Sequence, residues 1–312
     1  MKLRCAGYLA LLRLALGPLL LAILLGCTRP SAADQKLWEQ VSGAKALAHV
    51  QALVDFGPRP PGSDALEKSR QYIERQLREC GWEITRQTFT DETPRGVMTF
   101  VNLIGQFRGD RSAKPAPVFL LCSHYDTKIF DDTRFVGAND GGSSTGLLLE
   151  LARVLALNPA LASRIELVFF DGEEAVENFT DTDGLYGSRY FARELTKTGS
   201  TGQFHGGLLL DMVGDKSLGI TLPLDSPAKM ARDIFAAADA LQCRDRFTYF
   251  DHGNITDDHT PLNSIEIPTI DLIDFEYPPW HTAEDTIDKI GAESMQTIGR
   301  VVIYYLSHHQ PN

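Results

Sequence analysis

Between residues 118 and 306 the chain alternates short, continuous apolar runs with longer stretches of helical period. The runs at 118–123, 165–170, 208–213 and 269–273 read as strands, and the stretches at 143–157, 187–196, 227–241 and 292–306 read as helices. Strands that are apolar along their whole length belong to a sheet covered on both faces, so helices are expected on either side of it. Upstream the pattern differs. Residues 36–56 read as a helix broken by Phe56-Gly57-Pro58-Arg59-Pro60-Pro61-Gly62-Ser63, and a second helix carries Tyr72, Ile73 and Leu77 on one face and ends at Cys80-Gly81. Strand-like runs at 82–90 and 98–107 flank a turn at 94–96, as in a hairpin. The expected fold is α/β: a single-domain α/β sandwich with a mixed, mostly parallel central sheet flanked by helices. No repeat or shift in composition marks a second folded domain.

The first residues fall outside this pattern. Lys2 and Arg4 precede an apolar stretch at 9–25 that closes on Leu24-Leu25-Gly26-Cys27, which reads as a secretory signal rather than a mature helix. Arg13 interrupts the stretch and leaves it short for a membrane span, the rival reading. The closing tetrapeptide resembles a bacterial lipobox, whose cysteine is lipidated and becomes the new amino terminus. Residues 1–26 are therefore expected to be a lipoprotein-type signal peptide and 27–35 a tether. The folded part, 36–312, is expected outside the cytoplasm, meeting the membrane only through a lipid anchor on Cys27. Cys80, Cys122 and Cys243 remain; an odd count is no complete disulfide framework, and none has thiolate-zinc spacing, so small buried residues are expected, with one disulfide left open.

Composition narrows the partners. Asp and Glu outnumber Lys and Arg 41 to 30, a formal net charge of -11, and no basic run interleaved with aromatics occurs, so nucleic acid is not an expected partner. An acidic surface would attract cationic peptides with a free amino terminus. A monomer is expected.

The candidate chemistry lies just past the apolar runs, where ligands bind in such sheets. His124 and Asp126 follow the first run, Glu173 and Glu174 the second, Asp211 ends the third, and His281 lies beyond the fourth. Each has a plainer reading when taken alone: a structural histidine, a turn former, a solvated pair, a helix cap at Asp140 or Asp257, a packed Trp280. Their recurrence at strand ends changes the odds. One carboxylate (Asp140), one adjacent pair of carboxylates (Glu173 and Glu174) and one histidine (His281) make the ligand set of a catalytic zinc with an open position.

Those residues, in the segments Ser123-His124-Tyr125-Asp126, Gly137-Ala138-Asn139-Asp140-Gly141, Asp171-Gly172-Glu173-Glu174-Ala175, Leu185-Tyr186-Gly187-Ser188-Arg189, Leu210-Asp211-Met212-Val213-Gly214, Asp257-Asp258-His259 and Trp280-His281-Thr282, resemble the zinc-dependent aminopeptidase and glutaminyl cyclase superfamily. The resemblance covers nearly everything from about Phe56 to the last helix and implies that 36–312 is a cyclase or peptidase catalytic domain acting on peptides or proteins with a free amino terminus. In the aminopeptidase branch it implies two zincs, with Asp140 bridging, Glu174 and His281 on one, His124 and Asp211 on the other, and Glu173 activating water. In the glutaminyl-peptide cyclotransferase branch it implies one zinc on Asp140, Glu174 and His281, Glu173 as proton carrier, Asp211 and Asp257 in a hydrogen-bond network around the reacting amide, and Trp280 as a wall of the substrate pocket. Asp257 with Thr260-Pro261-Leu262 behind it, and Trp280 directly before His281, favour the cyclase. Asp271 stands where animal cyclases carry a histidine, and it leaves the pH profile and the branch open.

Overall fold

The computed structural model describes residues 36–107 and 118–309. The expected signal peptide, the tether and Cys27 lie outside them.

The amino-terminal helix is in two pieces. A single turn of 3-10 helix at Leu37–Gln40 precedes α1 (Gly43–Phe56), because extended Ser42 turns its hydroxyl back to accept the Lys45 N–H and starts a new helix there. The continuous helix expected over 36–56 is corrected accordingly. Helix α2 (Asp64–Glu79), capped by Ser63, buries Leu66, Ile73 and Leu77. It leads into a hairpin of β1 (Trp82–Thr93) and β2 (Gly96–Phe107), with Thr93 opposite Gly96 and Trp82 opposite Phe107. β1 runs three residues past its apolar stretch because an edge strand keeps pairing while its outer positions turn polar.

Thereafter come β3 (Phe119–His124), α3 (Gly142–Leu155), the short α4 (Pro159–Ala162), β4 (Ile165–Phe170), α5 (Tyr186–Thr198), β5 (Gly207–Asp211), β6 (Ile220–Leu222), α6 (Ala228–Ala240), β7 (Phe247–Tyr249), α7 (His259–Ser264), β8 (Thr269–Ile273) and α8 (Ala292–His308). They form one eight-stranded sheet in the order β1-β2-β4-β3-β5-β8-β6-β7. The central β4-β3-β5-β8 block is parallel, as is β6 with β7, while β1, β2 and β4 pair antiparallel, as do β6 and β8. The expected mixed, mostly parallel sandwich is what forms.

The central strands are apolar throughout because successive residues serve opposite cores. In β3, Phe119 and Leu121 enter the core shared with α1, α3 and α8, while Leu120 and Cys122 enter the one shared with Phe191 of α5 and Leu262 of α7. Ile165, Leu167 and Phe169 of β4 likewise face the first core, and Val168 and Phe170 the second. All three described cysteines are free thiols; Cys122 is fully buried, whereas Cys80 and Cys243 are half-buried. Four elements escaped the hydrophobic pattern: α4, β6, β7 and α7 have four, three, three and six residues, too few to show a period.

Candidate active site

Three parallel strands deliver their last residues, or the turns after them, to one cavity of about 430 Å³. Its lining includes Asp140, Glu173, Glu174, Asp211, Asp257, Trp280 and His281, seven of the residues picked out in the sequence. His124 sits behind the wall, fully buried at the end of β3.

Two candidate metal sets overlap at Asp140. The ligand atoms of Asp140, Glu174 and His281 lie within 4.8 Å of one another, and so do those of His124, Asp140 and Asp211. His281 Nε2 stands 3.3 Å from Asp140 Oδ2 and 3.1 Å from Glu174 Oε2, while His124 Nε2 is 3.2 Å from both Asp140 Oδ1 and Asp211 Oδ1. Buried carboxylates this close repel one another unless a cation or protons lie between them. Asp140 Oδ2 is buried and, the His281 ring apart, has no polar partner, which suits it to hold a cation. Burial disfavours the charged form of His281, yet hydrogen bonds to Asp140 and Glu174 prevail and raise its pKa to about 10. Glu174 is pushed up to about 7, chiefly by burial and then by the Asp140 charge. Imidazole nitrogen with carboxylate oxygen is a donor set that suits zinc, so the residues present fit that ion.

The chain strains its backbone to present these groups. His281 has φ 56° and Met212, directly after Asp211, φ 44°, a region L-residues occupy at a cost of about 1–3 kcal/mol. Gly141, at φ 69°, caps α3 where a Cβ would meet the Asp126 carbonyl oxygen at 2.7 Å, so only glycine lets Asp140 approach the end of β3. The His281 ring is caged: Trp280 stacks on it at 4.3 Å between centroids, and Phe130 and Phe135 meet it edge-on at 5.9 and 5.8 Å. Trp280 is 41% exposed, its free part facing the cavity.

Glu173 is half-buried. Burial, then the charge of Asp257, holds its carboxyl well above the ordinary range, as a proton carrier requires. Asp211 is raised by burial against the pull of His124. Asp257 and Asp271 are raised far more, by burial and by their mutual proximity to Asp211 and Asp258. Among the described residues no hydrogen bond joins Asp211 to Asp257. Asp257 instead faces Asp271 and His259, one ligand atom of each within 4.8 Å of the others, a closeness that adds to burial in raising the Asp271 carboxyl.

Several residues support the site from outside it, and of these Asp285, Arg59 and Arg70 carry no sequence signal of their own. Asp285 accepts the Asn139 N–H at 2.8 Å, the Asp140 N–H at 3.1 Å and the Tyr277 hydroxyl at 2.9 Å, which fixes the metal-ligand turn. Arg59, fully buried, donates to the carbonyls of Tyr125, Val136 and Gly137. Asp126 accepts the Glu173 and Glu174 N–H groups. Leu185 and Tyr186 donate their N–H groups to the Glu173 and Gly172 carbonyls, which explains why that segment accompanies the glutamate pair. Asp171, next to that pair in sequence, turns away and pairs with buried Arg70 at 2.6 Å. Lone Asp and Arg residues in loops announce no role; their partners are far away in sequence.

Residues 102–306 match the sequence pattern of Peptidase family M28. The chain belongs to that family. Among M28 relatives, the glutaminyl-peptide cyclotransferase of Bos taurus is 31% identical over 80% of this chain and 77% of its own length. The solved glutaminyl cyclase of Porphyromonas gingivalis is 31% identical, with a TM-score of 0.78 over 87% of this chain and 100% of that one. A zinc-dependent exopeptidase from Parabacteroides distasonis is 29% identical, with a TM-score of 0.77 over 86% and 99%. Both branches of the superfamily are thus represented, and the M28 chain is an enzyme of the zinc aminopeptidase-like fold.

Proposed function

We propose that this enzyme is a glutaminyl-peptide cyclotransferase, converting an amino-terminal glutamine to pyroglutamate with release of ammonia. The observation that carries the reading is Asp257. It lines the cavity beside Glu173 and Asp211, has its carboxyl held well above the ordinary range by burial and by the charges of Asp211 and Asp258, and has no task in water activation. Zinc on Asp140, Glu174 and His281 would polarise the γ-carbonyl of the glutamine. Glu173 takes a proton from the α-amino nitrogen as the N–C bond of the ring forms, and returns it to the amide nitrogen as the old C–N bond breaks and ammonia leaves. Asp257, with Asp211 near it, hydrogen-bonds the departing nitrogen. Trp280, Phe275 and Ile255 give the cavity apolar walls that hold the side chain folded for ring closure.

A second reading has its own observation. His124, Asp140 and Asp211 form a complete second ligand set, and the exopeptidase likeness points the same way, so a two-zinc aminopeptidase is the alternative. Zinc counting with product mass separates them. One equivalent and loss of ammonia from a glutamine-initiated peptide support the cyclase; two equivalents and a released amino acid support the peptidase.

We also propose that the chain works as an exported monomer tethered by a lipid on Cys27, its substrates being peptides or proteins with a free amino terminus. Cys27→Ala should move the protein from the membrane fraction to the soluble one, and light scattering should give the mass of a monomer.

A further inference from the structure

A groove of about 770 Å³ opens beside the catalytic cavity, between α5 and α7. Phe179 and Thr256 line both, so a peptide leaving the cavity past Phe179 enters the groove. Phe179 itself is 46% exposed, an apolar side chain with half its surface free at the junction.

The two spaces have opposite electrostatic character. The cavity gathers the carboxyl groups of Asp140, Glu173, Glu174, Glu177, Asp211 and Asp257 around Lys128 and His281. The groove has an apolar floor that includes Leu185 and Ile265, and its α5 wall carries Arg189, Arg193 and Lys197, four residues apart and hence on one ridge of the helix. Asp181 is the one carboxylate among its lining residues. A local excess of cations on a chain of net charge -11 runs against the protein's average.

Arg189 and Arg193 lie over the rings of Tyr186 and Tyr190, at 4.9 and 5.5 Å from the ring centres, and the ion pairs on this wall are weak. Arg193 lies 3.6 Å from Asp91, and Lys197 lies 3.1 Å from Glu194, in pairs whose cationic members are more than half exposed. Such pairs are weak and exchange readily for another anion. Arg189 donates to the carbonyls of Asp181 and Thr182, its Nε is buried without a partner, and among the described residues no carboxylate stands within ion-pair distance of it.

We propose that this groove binds the part of the peptide substrate downstream of its first residue, and that it selects peptides carrying acidic side chains there. The acidic cavity receives the amino terminus, and the basic wall receives carboxylates further along the same chain. The proposal rests on the cyclase reading, and it names the substrate class. Binding so far from the reacting bonds acts equally on ground and transition states, so selection should appear in KM and leave kcat nearly constant.

The test uses the zinc-loaded enzyme and glutamine-initiated hexapeptides in which one glutamate or one lysine is scanned through positions two to six, with ammonia release as the readout. At one or more positions glutamate should give a KM about fivefold to tenfold below lysine, a gap that about 0.5 M salt largely removes. The charge reversals Arg193→Glu and Lys197→Glu together should invert the preference. The same variant should turn over a glutamine dipeptide, too short to reach the groove, at the wild-type rate, which also shows that it folds; the neutral pair Arg193→Ala and Lys197→Ala should merely erase the preference. Equal KM values for acidic and basic hexapeptides in a wild-type enzyme that cyclises the dipeptide would overturn this proposal and leave the cyclase reading standing. No ammonia from any of these substrates would overturn both.

Discussion

The most demanding test of the site concerns Asp285, which is no candidate ligand yet holds the turn that carries Asp140. Its carboxylate accepts three hydrogen bonds, from two backbone N–H groups and the Tyr277 hydroxyl, all in a buried setting. Asp285→Asn keeps the shape and one acceptor oxygen, but turns an amide NH2 towards one of the N–H donors. One buried donor then loses a charged partner, which costs about 1.5–3 kcal/mol. Urea unfolding of the metal-free protein should show that loss. Because the freed N–H belongs to the Asn139-Asp140 turn, zinc affinity measured by chelator competition near about pH 7.5 should also fall, by about tenfold to a hundredfold. Burial and the Asp140 charge raise the Asp285 pKa to about 6, so between about pH 6 and pH 4 the folded wild type takes up a proton that the unfolded chain does not, and the metal-free wild type should gain stability over the Asn variant as pH falls through that window. Tyr277→Phe removes one hydrogen bond, distant from the Asp140 backbone, and should cost about 1–2 kcal/mol with little change in zinc affinity. If Asp285→Asn loses the expected stability while its zinc affinity stays within about threefold of wild type, the claim that Asp285 positions the ligand turn is refuted.

Glu173→Gln removes the proton carrier at constant shape; turnover should drop by at least about 10²–10⁴-fold while zinc content by atomic emission is unchanged, and an active variant would remove Glu173 from both proposed reactions. In the metal-free protein the carboxyls of Glu174, Asp211, Asp257 and Asp271 titrate above their ordinary range. From about pH 4 upward the folded state therefore holds more protons than the unfolded chain, and stability falls as pH rises; His281, held to about 10, acts the same way above about pH 6.5, whereas His259, lowered to about 4 by burial, opposes it below that point. Thermal unfolding should accordingly occur at a higher temperature near pH 5 than near pH 8 without metal, and saturating zinc should stabilise most at the higher pH; a metal-free midpoint that climbs from pH 5 to 8 contradicts the assignment. Trp280→Ala uncovers one face of the His281 ring and removes a wall of the cavity, so KM for glutamine peptides should rise about threefold to tenfold, a change that unaltered kinetics would rule out.

Much of the fold was legible because the central strands face two cores. Phe119 to Cys122 and Ile165 to Phe170 read as unbroken apolar runs for that reason, and their ends located His124, Glu173 and Glu174. The break at Ser42 was not legible: a capping serine inside a helical pattern resembles any exposed serine until its hydroxyl is seen accepting from Lys45. The short α4, β6, β7 and α7 were missed because three to six residues show no period. α7 matters most, since its start places Asp257 and His259 against Asp271 on β8.

By itself, the sequence determined which side chains are available for chemistry and which strand ends carry them, because burial on both faces and metal-ligand type are written into residue identity. Tertiary structure alone decided how they combine. Asp140 became common to two ligand sets, Asp257 turned to Asp271, and Asp285 took hold of a turn 145 residues away from it in the chain. Such pairings depend on distances across the sheet, which no local pattern encodes, and on burial, which turns neighbouring carboxylates into sites that must hold a proton or a cation.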